Sequence, residues 1–338
     1  IIRQMVIRQQ YEFERSKIAN FRKLNWSLFI TCAFFLFLYI YNIDGWLMHD
    51  DEGTDFYESW QMKLGKRPGV DFMAEQQPLF LYLGKSIMDV AGYNPKLLCL
   101  SATIQVLIGT AVLTLVIRKI WGNLVAVLFL GFMLSSGLVY EQARLFRPDP
   151  MMLGWEMLGL AAVFMAVTQK RKHWWAIAGF SYGFSVLWKL FGIFPVVGLV
   201  LYFFYLLVSQ RSQWPEIVTN GIYFAIPFLV ISLGGSIWLY SQTGFYYGQA
   251  LQQHLYLGQG TGFFARLSVT VQAYSYFFLV NSIFLFAFPL LWLNSYFKGN
   301  RSITFPVLAG QLASPALFLL MTRPMHLRYL IYLTPALA

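Results

Sequence analysis

Charged residues are scarce in this chain: Asp, Glu, Lys and Arg make up 12% of its 338 residues, against about 25% in a typical soluble domain. Cysteine is rarer still, because only Cys32 and Cys99 are present and both lie in or beside apolar runs. The first scarcity excludes a water-soluble globule, and the second excludes a disulfide framework or a thiolate metal site. Hydrophobic residues make up 58% and aromatic residues 19%, which indicates a helical protein that crosses a membrane several times.

Apolar runs of the length that crosses a bilayer, about 20 residues, recur along the chain between short polar connections. They predict membrane spans near Trp26–Ile43, Leu97–Ile117, Leu124–Tyr140, Met151–Thr168, Trp174–Trp188, Gly192–Val208, Ile217–Tyr240, Leu267–Leu293 and Ile303–Met321. A further span begins near Tyr329 and is cut off at Ala338, so we expect an all-α polytopic bundle of about ten transmembrane helices with a truncated C-terminal part. Leu79–Val90 is apolar but short, which favours a re-entrant or interfacial helix.

The basic residues predict how the chain is oriented. Residues 1–25 mix Arg, Lys and Glu without an apolar core, which predicts a basic cytoplasmic segment ahead of a transmembrane domain at 26–338. The net charge of +10 comes with no soluble recognition motif, so no nucleic-acid partner is expected. If the spans alternate, one side receives 14 basic and three acidic residues and the other receives 11 of each. Because basic residues concentrate in cytoplasmic loops facing anionic membrane lipid, we expect a cytoplasmic N-terminus in a plasma (inner) membrane.

The same alternation gathers the chemically active side chains on the outer face, in loops at 44–78 and 241–266 and at the ends of spans. Asp50, Asp51 and Glu52 follow directly after the first span. Adjacent acids repel each other, which raises the pKa of one of them or recruits a cation, so the cluster is suited to act as a base or to hold a metal. Solvated loop charge is the plain alternative. An apolar stripe follows with a spacing of four residues and predicts an amphipathic juxtamembrane helix: Phe56, Trp60 and Leu64.

Cationic side chains occur at the outer ends of later spans. Arg144 and Arg147 are three residues apart and are expected to share a helix face, where their guanidinium groups would clamp a phosphate; snorkelling at a helix end is the alternative for both and for Lys189. Glu156 lies inside a span, on nearly the same helix face as Asp149 and about 10 Å deeper. An acid at that depth usually faces a polar cavity or a partner.

In their order along the chain, these features resemble the GT-C class of polytopic glycosyltransferases that use lipid-phosphate sugars, which includes protein O-mannosyltransferases and aminoarabinose transferases. Four segments carry the resemblance: His49-Asp50-Asp51-Glu52, Glu75-Gln76-Gln77-Pro78-Leu79-Phe80, Ala143-Arg144-x-x-Arg147-Pro148-Asp149 and Leu187-Trp188-Lys189. The resemblance implies transfer of a sugar from a polyprenyl-phosphate donor to a hydroxyl acceptor, which is a glycan, a lipid or a protein. The reaction would take place on the periplasmic or extracellular face.

The resemblance also implies roles for individual residues. Asp51 would be the general base, with Glu52 or Asp50 in support. Asp149 would assist the acceptor side or a metal. The donor phosphate would bind Arg144, Arg147 and Lys189, and a divalent metal ion, the one cofactor implied, would bind Glu75 and His254.

The sequence departs from the pattern of the class in three places. Gln76-Gln77-Pro78 stands where the class often has Lys-Pro-Pro, Asp55 replaces a tyrosine, and no arginine follows His254. Two other functions stay open: a transporter or channel, with Asp149 and Glu156 on an ion or proton path, and a catalytically silent protein that binds lipid-linked sugar.

Overall fold

The computed structural model describes residues 26, 29–43, 50–74, 77–243, 268 and 271–272, with the side chains at 50, 51, 209 and 211 excepted. This part of the chain is built from α-helices joined by short turns. The helices are α1 Phe29–Ile40, α2 Asp50–Lys63, α3 Pro78–Ala91, α4 Pro95–Trp121, α5 Asn123–Ser135, α6 Gly137–Ala143, α7 Pro148–Gln169, α8 Lys172–Trp188, α9 Phe194–Ser209, α10 Trp214–Leu229 and α11 Gly235–Thr243. A 3-10 turn at Leu190–Ile193 leads into α9, and a π-helical turn at Val230–Gly234 joins α10 to α11.

Several of these helices are long and apolar enough to cross a membrane. In the described part they are four segments, and α5 with α6 forms a fifth if the bent pair is taken as one span: Pro95–Trp121, Pro148–Gln169, Leu190–Val208 and Trp214–Gln242. Helix α8 has 17 residues, and at about 1.5 Å per residue it reaches roughly 25 Å, close to the ~30 Å of a bilayer core. The predicted all-α polytopic fold is confirmed.

Two predicted spans differ in detail from the structure. The run Leu124–Tyr140 is not straight, because α5 and α6 meet at an angle of 64°. Ser136 takes an extended backbone between them, and its hydroxyl accepts a hydrogen bond from the Val139 amide, so it caps a new helix. The first span is helical over Phe29–Ile40. The last predicted spans lie almost wholly outside the described residues: Leu267–Leu293, Ile303–Met321 and the one that begins near Tyr329.

The predicted loop 44–78 contains α2, which packs against α3, the short apolar helix that follows. Lys63 Nζ donates a hydrogen bond to the carbonyl oxygen of Met88 at 2.7 Å and so ties the end of α2 to α3. The predicted stripe on α2 is divided between two environments, because Phe56 is only 4% exposed whereas Trp60 is 42% and Leu64 56% exposed. Helix α2 therefore anchors in the protein core through Phe56, and its last turns carry the exposed apolar surface suited to a membrane boundary.

Helix α7 lies at the centre of the described bundle, packed mainly between α4 and α8. At its crossing with α4 the two backbones touch: a Cβ atom on Gly109 would lie 2.4 Å from the carbonyl oxygen of Gly154, and one on Gly154 would lie 2.5 Å from that of Gln105. Small residues permit this approach, which is a common way to pack helices in a membrane. The close crossing fixes the position of the first turns of α7.

We predict that Gly109→Ala destabilises the protein by about 1–3 kcal/mol, because the added methyl group must push α4 and α7 apart. Thermal unfolding in detergent measures the effect. Gly131→Ala is the matched control, since a Cβ atom there meets nothing within 4 Å. Equal unfolding temperatures for the two variants would contradict the close crossing.

Candidate active site

Polar side chains from four parts of the chain converge where α2 meets the start of α7 and the end of α8. Among them are a largely buried ion pair, a buried arginine and several buried acids. Sequence reasoning placed most of these residues on one face of the membrane but did not predict their contacts. The members with described side chains are Glu52, Asp55, Glu58, Arg147, Asp149 and Lys189, whereas Arg144, the other predicted cation, contacts the end of α1.

The cations of this cluster are Arg147 and Lys189, and Asp149 pairs with Lys189. Arg147 occupies the position before α7 with extended backbone, and Pro148 opens the helix, as expected of a residue that precedes proline. Asp149, in the first turn, accepts a hydrogen bond from Lys189 Nζ at 2.6 Å, and these side chains are 0% and 13% exposed. Acids are favoured at a helix N-terminus. The pair joins the start of α7 to the residue that follows α8.

Glu52 ties α2 to the segment that precedes α7. Its Oε1 accepts hydrogen bonds from the Phe146 amide at 2.9 Å and from Cys99 Sγ at 3.3 Å. The Phe146 ring stacks on Phe56 with centroids 5.5 Å apart, and it packs on Phe80 at 4.5 Å. These contacts give Glu52 a structural role. Its predicted support of the general base stays a prediction.

Arg144 ties the end of α1 to α6. Its Nη2 donates to the carbonyl oxygens of Tyr41 at 2.8 Å and Asn42 at 2.7 Å, and its Nη1 contacts the hydroxyl of Tyr140. Helix α6 ends before Arg144 and α7 begins after Arg147, so the two arginines do not share a helix face and that expectation is wrong. The contacts of Arg144 favour a structural role over the predicted donor-phosphate role, which stays a prediction.

Asp55 is a site residue that the sequence interpretation missed. It is 0% exposed, and burial raises its pKa well above the usual range of a carboxyl; Arg147 and Lys189 act in the opposite direction, whereas Glu58 and Asp149 add to the increase. A signal was present, because Asp51, Asp55 and Glu58 follow a spacing that places them on one face of a helix. The three adjacent acids Asp50, Asp51 and Glu52 drew attention away from this helical spacing.

Several predicted residues cannot be placed in this cluster. The backbone of Asp50 and Asp51 opens α2, but their side chains lie outside the described part of the chain, and so do Glu75 and His254. Within the described residues, no group of three or more His, Cys, Asp or Glu side chains is arranged to hold a metal ion. The general base and the divalent metal therefore stay predictions.

Glu156 lies deeper along α7, where it is 4% exposed. Among the described residues, its buried Oε1 has no hydrogen-bond partner. It is turned into the protein rather than toward lipid, as expected for an acid within a membrane span. Such a buried carboxyl, two turns further along α7 than Asp149, is compatible with the alternative function of an ion or proton path.

The all-α polytopic architecture, taken with the family match and the structural likeness that follow, is that of the GT-C class of polytopic glycosyltransferases. A family model described as dolichyl-phosphate-mannose-protein mannosyltransferase matches residues 75–249. The match spans just over half of the chain, and the chain belongs to this family. It includes Arg144, Arg147, Asp149 and Lys189, and it begins after α2. No protein with a curated description matches the chain.

Two crystal structures of ArnT from Cupriavidus metallidurans resemble this chain. The one bound to undecaprenyl phosphate has a TM-score of 0.67 and 18% sequence identity, and the one in the apo state has a TM-score of 0.70 and 19% identity. Each comparison covers 93% of this chain and 58% of ArnT, so the chain spans less than two thirds of the length of ArnT. At these identities the likeness establishes the fold.

We predict that Glu52→Ala costs about 1–3 kcal/mol of stability, because it leaves the buried amide of Phe146 without its acceptor. Glu52→Gln keeps an oxygen at that position and is expected to unfold close to the wild-type temperature. Thermal unfolding of the two variants separates the hydrogen bond from the charge. If Glu52→Gln were as unstable as Glu52→Ala, the carboxylate charge would be the stabilising feature.

Proposed function

We propose that this chain transfers a sugar from a polyprenyl-phosphate donor to a hydroxyl acceptor. The observation that carries the proposal is the buried cluster of Arg147, Asp149 and Lys189 beside the acidic helix α2, in a member of a mannosyltransferase family. The undecaprenyl phosphate bound to the similarly folded ArnT supports a lipid of this chemical class as the donor. Membrane lipid would then surround the polyprenyl chain.

Arg147 and Lys189 would hold the donor phosphate. A guanidinium group binds phosphate in a bidentate manner, and an ammonium group adds a compact charge. The ion pair with Asp149 holds Lys189 in place, so the cation is positioned before any ligand arrives. We assign Arg144 to support of the segment before α7, since its guanidinium already binds two carbonyl oxygens.

Asp51, with Asp50 and Glu52 in support, would act on the acceptor. The acceptor oxygen forms a bond to the anomeric carbon while the bond from that carbon to the phosphate oxygen breaks. Asp51 takes the hydroxyl proton, and the phosphate leaves with the electron pair of the broken bond. Charge develops on the phosphate, so the nearby cations would supply a large part of the stabilisation of the transition state.

The site would lie on the periplasmic or extracellular face of a plasma (inner) membrane. Support comes from the excess of basic residues on the other side, which is the distribution typical of cytoplasmic loops. The convergence of Arg147, Asp149 and Lys189 at one end of the bundle also favours chemistry at a surface over transport, which needs polar groups along the spans.

Substitution of Asp51 tests the reaction. We expect Asp51→Asn to lower transfer of labelled sugar from undecaprenyl-phosphate mannose or undecaprenyl-phosphate aminoarabinose to a membrane extract by at least about 100-fold, the typical contribution of a general base. Asp89→Asn is the control, because Asp89 is an exposed acid on α3 that pairs with Lys85, and this variant should keep most of the activity. Full turnover by Asp51→Asn would remove Asp51 as the base, and absence of turnover by the wild type despite binding of undecaprenyl phosphate would favour a catalytically silent protein.

Cysteine labelling tests the orientation. In a background without Cys32 and Cys99, Lys66→Cys in the turn between α2 and α3 should react with a membrane-impermeant maleimide on intact cells. Lys170→Cys, between α7 and α8, should react only after permeabilisation. Both positions are exposed, so equal labelling of the two on intact cells would contradict the orientation.

A further inference from the structure

We propose that Asp55 faces the donor phosphate as a neutral carboxylic acid, so that binding of the phosphate is coupled to proton uptake at Asp55. This inference rests on the proposed function, and it adds a phosphate ligand that the resemblance to GT-C enzymes does not imply. Asp55 would touch the donor directly. No covalent bond of Asp55 changes in the reaction.

The surroundings of Asp55 disfavour its charged form. The residue is completely buried, and among the described residues neither of its carboxylate oxygens has a hydrogen-bond partner. An ionised carboxylate is costly to bury unless cations and hydrogen-bond donors compensate for the lost water. A buried carboxyl without hydrogen-bond partners is expected either to be protonated or to form its hydrogen bonds with a bound ligand.

Charged groups from three elements face Asp55. Glu58 lies on the same helix, Arg147 and Asp149 lie at the start of α7, and Lys189 follows α8. Arg147 and Lys189 favour the ionised form, whereas Glu58 and Asp149 disfavour it. The Lys189 charge is in addition largely compensated by Asp149 at 2.6 Å.

Binding of a phosphate would change this balance. The cations proposed to bind the phosphate are the same two that favour ionisation of Asp55. An anion placed on them adds negative charge next to Asp55 and therefore promotes its protonation. By linkage, protonation of Asp55 must strengthen phosphate binding by the same factor.

The neutral form of Asp55 has an O–H group to donate, and a phosphate oxygen is a strong acceptor. As the bond between the sugar and the phosphate breaks, negative charge grows on the phosphate and this hydrogen bond becomes stronger. An interaction that strengthens in the transition state accelerates the reaction. The proton stays on Asp55 throughout.

The test is the pH dependence of undecaprenyl phosphate binding to the purified full chain. The affinity of the wild type, relative to that of Asp55→Asn, is expected to fall by about tenfold between about pH 5.5 and pH 8.5, a typical size for coupling between two sites. Asparagine keeps an N–H donor at every pH, and the ratio removes the ionisation of the phosphate itself. Asp71→Asn is the matched control: Asp71 is a partly exposed acid in the same outer loop, and this variant should follow the wild type.

The possible outcomes separate this inference from the proposed function. Binding with the same pH dependence in the wild type and Asp55→Asn would overturn the role of Asp55 and leave the proposed function intact. Absence of binding by the wild type at every pH would overturn the proposed function and the inference with it. If Arg147→Ala loses binding at every pH and the affinity ratio of wild type to Asp55→Asn falls with pH as expected, both the proposed function and the role of Asp55 are supported.

Two further measurements keep the test valid if a variant folds poorly. Because the pKa of Asp55 is higher in the folded than in the unfolded chain, stability is lost as pH rises from the unfolded value toward the folded one; Asp55→Asn should therefore unfold at or above the wild-type temperature at pH 8. Calorimetry of the wild type in buffers of different ionisation enthalpy counts protons on binding. Between about pH 5.5 and pH 8.5, greater proton uptake by the wild type than by Asp55→Asn supports the inference, whereas equal proton counts for the two throughout this range overturn it.

Discussion

The hydrogen bond from the Phe146 amide to the Glu52 carboxylate is the contact on which the arrangement of the site depends. It joins α2, which is not a membrane span, to the short segment between α6 and α7, and the second bond, from Cys99, adds α4. Because Phe146 immediately precedes Arg147, the bond sets where the Arg147 guanidinium lies relative to the acids of α2. Glu52 is 5% and Phe146 0% exposed, and a hydrogen bond is stronger in a buried environment than in water.

The buried charges of the cluster are expected to lower the stability of the fold rather than raise it. Replacing a buried ion pair with apolar residues is often neutral or stabilising, because the charges lose their hydration when they are buried. Asp149 and Lys189 are nevertheless buried together, with Asp55 and Arg147 close by. The loss of hydration that makes this cluster unfavourable for folding would also strengthen the binding of an anion to its cations, which gives a reason for its presence. Cations held in a site that excludes water stabilise developing charge more strongly than they would in water, as the departure of a phosphate in the proposed reaction would require.

Hydropathy predicted the spans that became α4, α7, α8 and α9, because the length of an apolar run is set by bilayer thickness and needs no tertiary information. Local patterns failed where the backbone changes direction: Ser136 breaks one apolar run, and Arg144 and Arg147 lie in a non-helical segment between the end of α6 and Pro148, which opens α7. The two arginines then diverge, one to the carbonyl oxygens after α1 and the other toward Asp55. Residue types and order predicted which groups gather at one end of the bundle. Their pairing depends on how α7 packs against its neighbours, and no local pattern encodes that.

The packing of α7 also bears on the choice between transfer and transport. Asp149 and Glu156 lie on one helix and suggest a polar path, but Gly154 comes between them in the sequence. There the backbones of α4 and α7 are so close that a Cβ atom on Gly154 would meet the carbonyl oxygen of Gln105 at 2.5 Å. No polar path runs between these two helices at that level. This contact closes the α4 side of α7. A polyprenyl phosphate that binds Arg147 and Lys189, as proposed above, would enter from the end of the bundle or from the lipid, with its chain in the bilayer and its phosphate at the membrane surface.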